Sequence, residues 1–123
     1  MDLKLELVQV PVSDVDRAKA YYTEKVGFNA DVDIAVREGL RFVQLTPPGS
    51  ACSIAIGTGL SDMPPGTVQG LQVVVEDIHA ARAELDDRGV EVGDVEVFDW
   101  GSFVFFSDPD GNGWAVQQIP AGS

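Results

Sequence analysis

The sequence predicts an α+β fold in which two tandem βαβββ modules form one pseudo-twofold domain with a curved mixed sheet. The stretch from Leu7 to Tyr22 changes from strand-like alternation to helical spacing, and a degraded copy of it returns from Gly70 to Leu85. Gln9 and Gln72 hold equivalent places in the two copies, 63 positions apart. A period this long that occurs only twice indicates two modules sharing one core rather than a solenoid.

The first module is predicted to contain a strand, a helix and three further strands. The first strand, about Leu3 to Val12, leads directly into a helix from about Val15 to Lys25, and Gly27 stands where a left-handed residue ends a helix. Ser13, with Asp16 three residues later, is expected to cap the first turn. The three further strands are predicted at Phe28–Ala35, Leu40–Leu45 and Ala51–Ile56.

The second module is predicted to repeat this order after a linker rich in proline and glycine. Asp77 should cap its helix. Its elements are predicted at Leu71–Val75, Ile78–Arg88, Val90–Phe98, Phe103–Phe106 and Trp114–Ile119. Residues 1–123 therefore form a single predicted domain, with module one at about 1–57, the linker at about 58–69 and module two at about 70–119. The tail from Pro120 to Ser123 should fray.

Composition excludes several classes of partner. Eight basic and twenty acidic residues give a formal charge of −12, which repels nucleic acids and anionic membrane surfaces. No stretch predicts a signal peptide or a membrane span. The single cysteine, Cys52, cannot form an internal disulfide and fits a reducing compartment. We therefore expect a cytoplasmic protein with neither a nucleic-acid nor a membrane partner.

Three motifs carry a resemblance to a known superfamily. They lie at Val10–Phe28 (VPVSDVDRAKAYYTEKVGF), Val73–Leu85 (VVVEDIHAARAEL) and Phe105–Gln118 (FFSDPDGNGWAVQQ). With the double-module order, they resemble the glyoxalase, bleomycin-resistance and extradiol-dioxygenase superfamily, also called the vicinal oxygen chelate superfamily. The resemblance implies modules that face each other across a cavity, and a homodimer. It does not specify an activity, because one fold hosts many functions.

Metal-dependent members of that superfamily, as the resemblance implies, hold a metal with four ligands from the first and last strands, usually His and Glu. Carried onto this chain by spacing from the motifs, those positions are Leu7, Gly70, Ser53 and Ala115. A two-residue slip, which keeps the strand face, gives instead Gln9, Gln72, Ala55 and Gln117. Neither set offers imidazole or carboxylate, the usual donors for a catalytic transition metal. The chain's one imidazole, His79, is predicted to point from a helix into solvent, so neither a metal nor another cofactor is expected.

A ligand site is predicted from glutamines and aromatic residues. Gln9 and Gln72 occupy equivalent first-strand positions, and Gln117 lies on the last strand, so the three amides are expected either to form a structural network or to bind a ligand. Trp100 is predicted on a loop from which it could close over a ligand, with Phe103 and Phe105 in apolar contact. Leu7 is expected on the cavity floor. Outside the site, Arg41 lies in a predicted strand and is expected either to face solvent, which is favoured, or to reach a carboxylate. Asp108 is predicted to stabilise the turn that it begins.

These observations favour a metal-independent small-molecule binding protein of the bleomycin-resistance type. Its ligand is expected to be neutral or cationic and aromatic, because the negative charge disfavours anions and amides need no charged partner. The alternative is a metal-dependent lyase, isomerase or dioxygenase of the same superfamily with displaced ligands. A structural or regulatory dimer without a ligand is the third possibility.

Overall fold

The computed structural model describes residues 1–120, in which the predicted order of elements occurs twice. The fraying was predicted for Pro120 to Ser123, of which residues 121–123 lie outside this range. The elements are β1 Leu7–Gln9, α1 Val15–Ala20, β2 Asn29–Arg37, β3 Leu40–Thr46, β4 Ser53–Thr58, β5 Leu71–Val74, α2 Ile78–Asp87, β6 Glu96–Phe98, β7 Gly101–Ser107 and β8 Gly113–Gln118.

The eight strands form two separate four-stranded sheets, one in each module. The first sheet has the order β1-β4-β3-β2 and the second has the order β5-β8-β7-β6. In each sheet the first strand runs parallel to the last strand of its module, and the other pairs are antiparallel. The predicted α+β class with two βαβββ modules is therefore confirmed.

Two strands are shorter than the sequence pattern predicted. The first strand was predicted from Leu3 but begins at Leu7, because its neighbour β4 offers partners only from Ser53 onward. The stretch predicted as a strand from Val90 enters the ladder only at Glu96. Before that point, half-buried and buried valines pack into the core without a strand partner; they are Val90, Val92 and Val95.

The helix starts follow the predicted chemistry, with one change of residue. Asp77 caps α2 as predicted and accepts hydrogen bonds from the His79 and Ala80 backbone amides. The prediction that Ser13 caps α1 is wrong, because Asp14 accepts a hydrogen bond from the Arg17 backbone amide at 3.1 Å. The Ser13 hydroxyl donates instead to Asp110 of the second module. A π-helical segment, Tyr21–Val26, continues directly from α1. Gly27 ends it with a φ of 90°, as predicted.

A single core joins the two modules. Its buried members come from the helices and from the helix-covered faces of both sheets, and they include Val43 and Ile56 of the first sheet with Val104 and Val116 of the second. Burial of this apolar surface is the main force that holds the modules together. No helix within residues 1–120 is both long and apolar enough to span a membrane.

Candidate functional site

Strand register divides each sheet into a helix-covered face and an open face. Residues that pair across strands share a face, and successive residues alternate between faces. In the second sheet, Phe103 pairs with Gln117, and Ala115 pairs with both Phe105 and Gln72. These five residues therefore lie on one face, opposite to the face that carries the buried Val104, Val116 and Trp114.

Aromatic rings form a continuous row on the open face of the second sheet, which we call the aromatic row: Trp100, Phe98, Phe103 and Phe105. Trp100 stacks on Phe98 with ring centroids 5.1 Å apart and an interplanar angle of 11°. Phe98 meets Phe103 edge to face at 5.7 Å, and Phe103 stacks on Phe105 at 5.9 Å. Phe103 is only 6% exposed, whereas Phe105 is 43% and Trp100 63% exposed. The row is thus anchored at Phe103 and open to solvent at both ends.

A chain of side-chain amides lies beside the aromatic row. Gln72 Nε2 donates to Gln117 Oε1 at 2.7 Å, and Gln117 Nε2 donates to the Trp100 carbonyl oxygen at 2.9 Å. The second bond fixes the two-residue turn that carries Trp100, so the amides also position the aromatic row. Gly101 permits the close approach: with a φ of 150°, a Cβ there would lie 2.9 Å from Gln117 Nε2.

The remaining two predicted site residues lie in the first sheet. Leu7 and Gln9 are on β1, where they pair with Ser53 and Ala55, and Gln9 is exposed. Within residues 1–120 no hydrogen bond joins Gln9 to Gln72 or Gln117, so the three glutamines do not form one network in a single chain. The strands instead place Gln44 near Gln9, because both pair with Ala55. Gln44 Nε2 donates to Ser53 Oγ at 3.1 Å.

The open faces of the two sheets do not line a common cavity within one chain. The modules pack through their helix-covered faces, where Tyr22 and Phe28 of the first module contact Trp114 of the second at ring-centroid distances of 5.8 and 5.5 Å. An open face lies on the side of each sheet away from that shared core. Leu7 and Gln9 are therefore separated from the aromatic row by the body of the protein.

The buried contact between the modules is polar as well as aromatic. The Tyr22 hydroxyl donates to Asp108 Oδ2 at 2.7 Å and accepts from Trp114 Nε1 at 3.0 Å. Burial, with the neighbouring Asp108 carboxylate, raises the pKa of the Tyr22 phenol. Asp108 also accepts from both the backbone and the side-chain amide of Asn112. Asp108 therefore stabilises its turn, as predicted, and does so through contacts that reach the other module.

Arg41 is part of an ion cluster, so it reaches carboxylates, the less favoured of the two roles predicted for it, while its side chain stays 27% exposed. Its guanidinium donates to Asp33 through Nε at 3.0 Å and Nη2 at 2.9 Å, and its Nη1 reaches Asp16 at 2.8 Å. Lys19 Nζ also binds Asp33, at 2.7 Å. These bonds lower the pKa of the Asp33 carboxyl. The cluster fastens α1 to β2 and β3 on the helix-covered side, away from the open face.

Comparison with known proteins places the chain in a superfamily. The model of the Glyoxalase/Bleomycin resistance protein/Dioxygenase superfamily matches residues 4–116. The chain belongs to this superfamily. Its likeness to solved structures agrees: TnmS3, an antibiotic binding protein from Streptomyces sp. CB03234, is 36% identical with a TM-score of 0.87, over 97% of this chain and 98% of that one.

Two further proteins are similar to this chain over nearly their whole lengths. A glyoxalase/bleomycin resistance protein from the same Streptomyces strain is 38% identical with a TM-score of 0.81, over 94% of this chain and 100% of that one. The uncharacterized protein YetH of Bacillus subtilis (strain 168) is 31% identical over 115 residues, which cover 90% of this chain and 94% of YetH.

The superfamily's metal positions do not fit a metal in this chain. Register places Leu7 opposite Ser53, and it places Gln9 and Gln72 opposite Ala55 and Ala115. Ala115 thus corresponds to Ala55 rather than to Ser53, which corrects the alignment of the last strands by two residues. Both sets of paired positions offer only apolar, hydroxyl or amide side chains. Across residues 1–120, no three His, Cys, Asp or Glu side chains are grouped closely enough to hold an ion.

Two residues of the site were missed in the sequence. Phe98 completes the aromatic row, and Val74, which is 61% exposed, shares the open face because it pairs with Gln117. Alternation along β5 places Val74 on the same face as Gln72, so the strand period was a signal that identified it. Phe98 gave no such signal, because only the two-residue turn to Gly101 brings it against Trp100.

Proposed function

We propose that the protein binds a small aromatic molecule, without a metal, on the open face of the second sheet. The observation that carries this proposal is the aromatic row beside the chain of amides. Exposed aromatic rings on a sheet face are costly in water unless a partner covers them. Ligand sites typically combine such apolar surface with a few positioned polar groups, which here are the amides of Gln72 and Gln117.

The arrangement of the rings favours a flat ligand. Phe103 and Phe105 are nearly parallel, with an interplanar angle of 4°, and Trp100 and Phe98 form a second stacked pair. Aromatic pairs in stacked or edge-to-face geometry contribute about 0.5 to 1.5 kcal/mol beyond area burial. The Phe98 and Phe103 rings are inclined at 72° to each other, so a planar ring system laid across the row could stack on one of them and contact the other edge to face.

The amides leave one acceptor for the ligand. Gln117 uses its oxygen and its nitrogen within the chain of amides, and Gln72 uses its nitrogen. Among residues 1–120, Gln72 Oε1 accepts no hydrogen bond, so it can receive an N–H or O–H group of the ligand. The Gln117 bond to the Trp100 carbonyl orients this pair before the ligand arrives, which reduces the cost of ordering on binding.

Charge favours neutral or cationic ligands. The chain carries a formal charge of −12. Glu96 pairs with Phe103 and therefore shares the open face, and Asp99 precedes Trp100 in the turn. Negative charge at the rim of an aromatic surface attracts cations, and the faces of aromatic rings attract them as well. An anionic ligand would meet repulsion from both acidic side chains.

A homodimer is part of the proposal. Because the two open faces of one chain point away from each other, the aromatic row lacks an opposing wall. A second copy could supply it by placing the open face of its first sheet, with Leu7, Gln9 and Gln44, over the aromatic row. The two-fold symmetry of such a pair would create two equivalent sites. Leu7 and Gln9 would then contact the ligand from the partner chain.

Similarity supports an antibiotic as the class of ligand. TnmS3, an antibiotic binding protein, is 36% identical to this chain. We propose that this chain likewise binds an antibiotic-like aromatic compound. We also propose a cytoplasmic location, because the one cysteine, Cys52, is a free thiol that fits a reducing compartment.

The test is a titration of the purified protein with a cationic aromatic dye, its neutral isostere and an anionic analogue, followed by calorimetry. We expect binding in the order cation, neutral, anion. Gln72→Ala should weaken binding by about 0.5 to 1.5 kcal/mol through loss of one hydrogen bond. Phe105→Ala should weaken it by a similar amount. Val97→Ala is the matched control, because Val97 lies on β6 next to Phe98 but faces the opposite way.

Two results would count against the proposal. The open face does not hold the ligand if Gln72→Ala and Phe105→Ala bind it as tightly as the parent protein. The dimer is wrong if sedimentation finds only the 13.1 kDa species at the concentrations of the titration. If the ligand binds a monomer through the aromatic row, the proposed site on that row is kept. Only the wall that a second copy was proposed to supply is then excluded.

A further inference from the structure

A second cavity lies on the other side of β5 from the aromatic row. It is a groove of about 420 Å³ between the modules, and we call it the inter-module groove. One wall is the α2 face that carries Ala81 and Leu85, and the opposite wall is the β3–β4 turn of the first module with Pro47 and Pro48. Its volume lies in the range of ligand pockets, about 300 to 1,000 Å³, and such pockets often occur where two units meet.

The lining of the inter-module groove is mainly apolar, with Ser50 and Gln72 as its uncharged polar side chains. Its base is formed by buried rings and aliphatic side chains, among them Phe28, Leu85 and Trp114. Val73 and Val75 of the second module are half-buried beside them. Glu84 is the charged residue that borders the groove, and its side chain is 71% exposed and thus at the mouth. Water held in such a space would have few partners, whereas an apolar ligand would release it.

Backbone groups add polar contacts to this apolar groove. Strand β5 is the edge of its sheet, and within residues 1–120 it pairs only with β8. The Val75 amide donates to the Gln117 carbonyl oxygen at 2.8 Å, so alternate residues of this parallel strand point towards β8. The N–H and C=O groups of Gln72 and Val74 therefore point away from β8, towards the free edge that borders the groove. They can hydrogen-bond a ligand without a buried charge.

We infer that the inter-module groove is a second binding site, for a compact neutral molecule with an apolar body and one or two hydrogen-bonding groups. The apolar lining selects the body of the ligand, and the free edge of β5 orients its polar group. The prolines make one wall rigid, because proline fixes its own φ. The groove and the aromatic row both adjoin β5: Gln72 and Val74 border the groove, whereas the side chains of Val73 and Val75 face away from the aromatic row.

The test uses N-phenyl-1-naphthylamine, a neutral probe whose fluorescence rises in apolar surroundings. Saturable binding is expected with the parent protein. Ala81→Phe fills the groove from α2 and should weaken binding about tenfold or more, which corresponds to about 1.4 kcal/mol. Glu84→Trp blocks the mouth from an exposed position, so it keeps the test valid if Ala81→Phe fails to fold.

Two controls separate this site from the aromatic row. Ala80→Phe adds the same ring to an exposed position of α2 outside the groove, and it should leave binding unchanged. Phe105→Ala removes a ring of the aromatic row, so it should weaken only the part of the probe's binding that belongs to that row and keep the part that Ala81→Phe removes. The inference is overturned if the probe does not saturate, if both groove variants bind it normally, or if Phe105→Ala removes the same part of the binding as Ala81→Phe.

Discussion

Replacing Tyr22 by Phe tests the contact that holds the two modules together. The substitution removes one hydroxyl from a fully buried position and keeps the ring. That hydroxyl donates to Asp108 and accepts from Trp114 Nε1. No described residue offers a replacement for either bond, so both partners lose a contact inside the core.

The magnitude follows from these two losses. A hydrogen bond to a charged group contributes about 1.5 to 3 kcal/mol, and a buried donor left without a partner costs about 1 to 3 kcal/mol. Asp108 keeps its bonds from Asn112, which reduces the first loss. We therefore expect Tyr22→Phe to lower the free energy of unfolding by about 2 to 4 kcal/mol. For a chain of this size, each kcal/mol lowers Tm by roughly 3 to 5 °C.

Tyr21→Phe is the matched control. Tyr21 is the neighbouring residue, but it is half-buried, and its hydroxyl donates a single bond to the Ser107 carbonyl oxygen at 3.0 Å. Burial raises its pKa to about 12, so it stays neutral at ordinary pH. Loss of this one bond should cost about 0.5 to 1.5 kcal/mol. Chemical unfolding in urea, with Tm from circular dichroism, measures both variants.

The comparison refutes the reasoning if the two variants lose the same stability, because the buried network would then contribute no more than a surface bond. A loss below about 1 kcal/mol for Tyr22→Phe would show that the core relaxes to satisfy Trp114. The double variant with Trp114→Phe should lose less than the sum of the single variants, because the two residues share a bond.

Three further predictions concern the turn, pH and metal. Gly101→Ala should cost about 1 to 3 kcal/mol, because Gly101 has a φ of 150° and its Cβ would lie 2.7 Å from the Gln118 carbonyl oxygen; unchanged stability in urea would contradict this. Asp33→Asn should destabilise by at most about 1 kcal/mol at pH 7. The pKa of Asp33 is lowered in the folded state, so its contribution to stability is present above the unfolded pKa of about 3.9 and is lost as pH falls through the folded pKa. The difference in Tm between variant and parent should therefore shrink at low pH. A constant difference from pH 7 to about pH 2 would contradict this expectation. Elemental analysis should find no stoichiometric divalent metal in the purified protein, because the strand positions offer no imidazole or carboxylate; one tightly bound zinc, iron, nickel or manganese per chain would favour the metal-dependent alternative.

The sequence by itself determined the repeat and the elements within it. Strand alternation and helical spacing are local patterns, so they can be recognised in a segment without knowing which other segments it contacts. The same locality explains why the Asp77 cap and the left-handed Gly27 were predicted correctly, since each depends on a few adjacent residues. The lack of imidazole and carboxylate at the superfamily's metal positions was also visible in the sequence.

Only the tertiary structure decided which surfaces meet. Strand register moved Ala115 into correspondence with Ala55, and the choice of packing faces separated Gln9 from Gln72 and Gln117. Both depend on contacts between residues far apart in the chain. Arg41 shows the same limit, because one of its partners, Asp16, is 25 residues away on α1. Side-chain period tells which residues share a face, but burial of the shared core selects which face of each module turns inward.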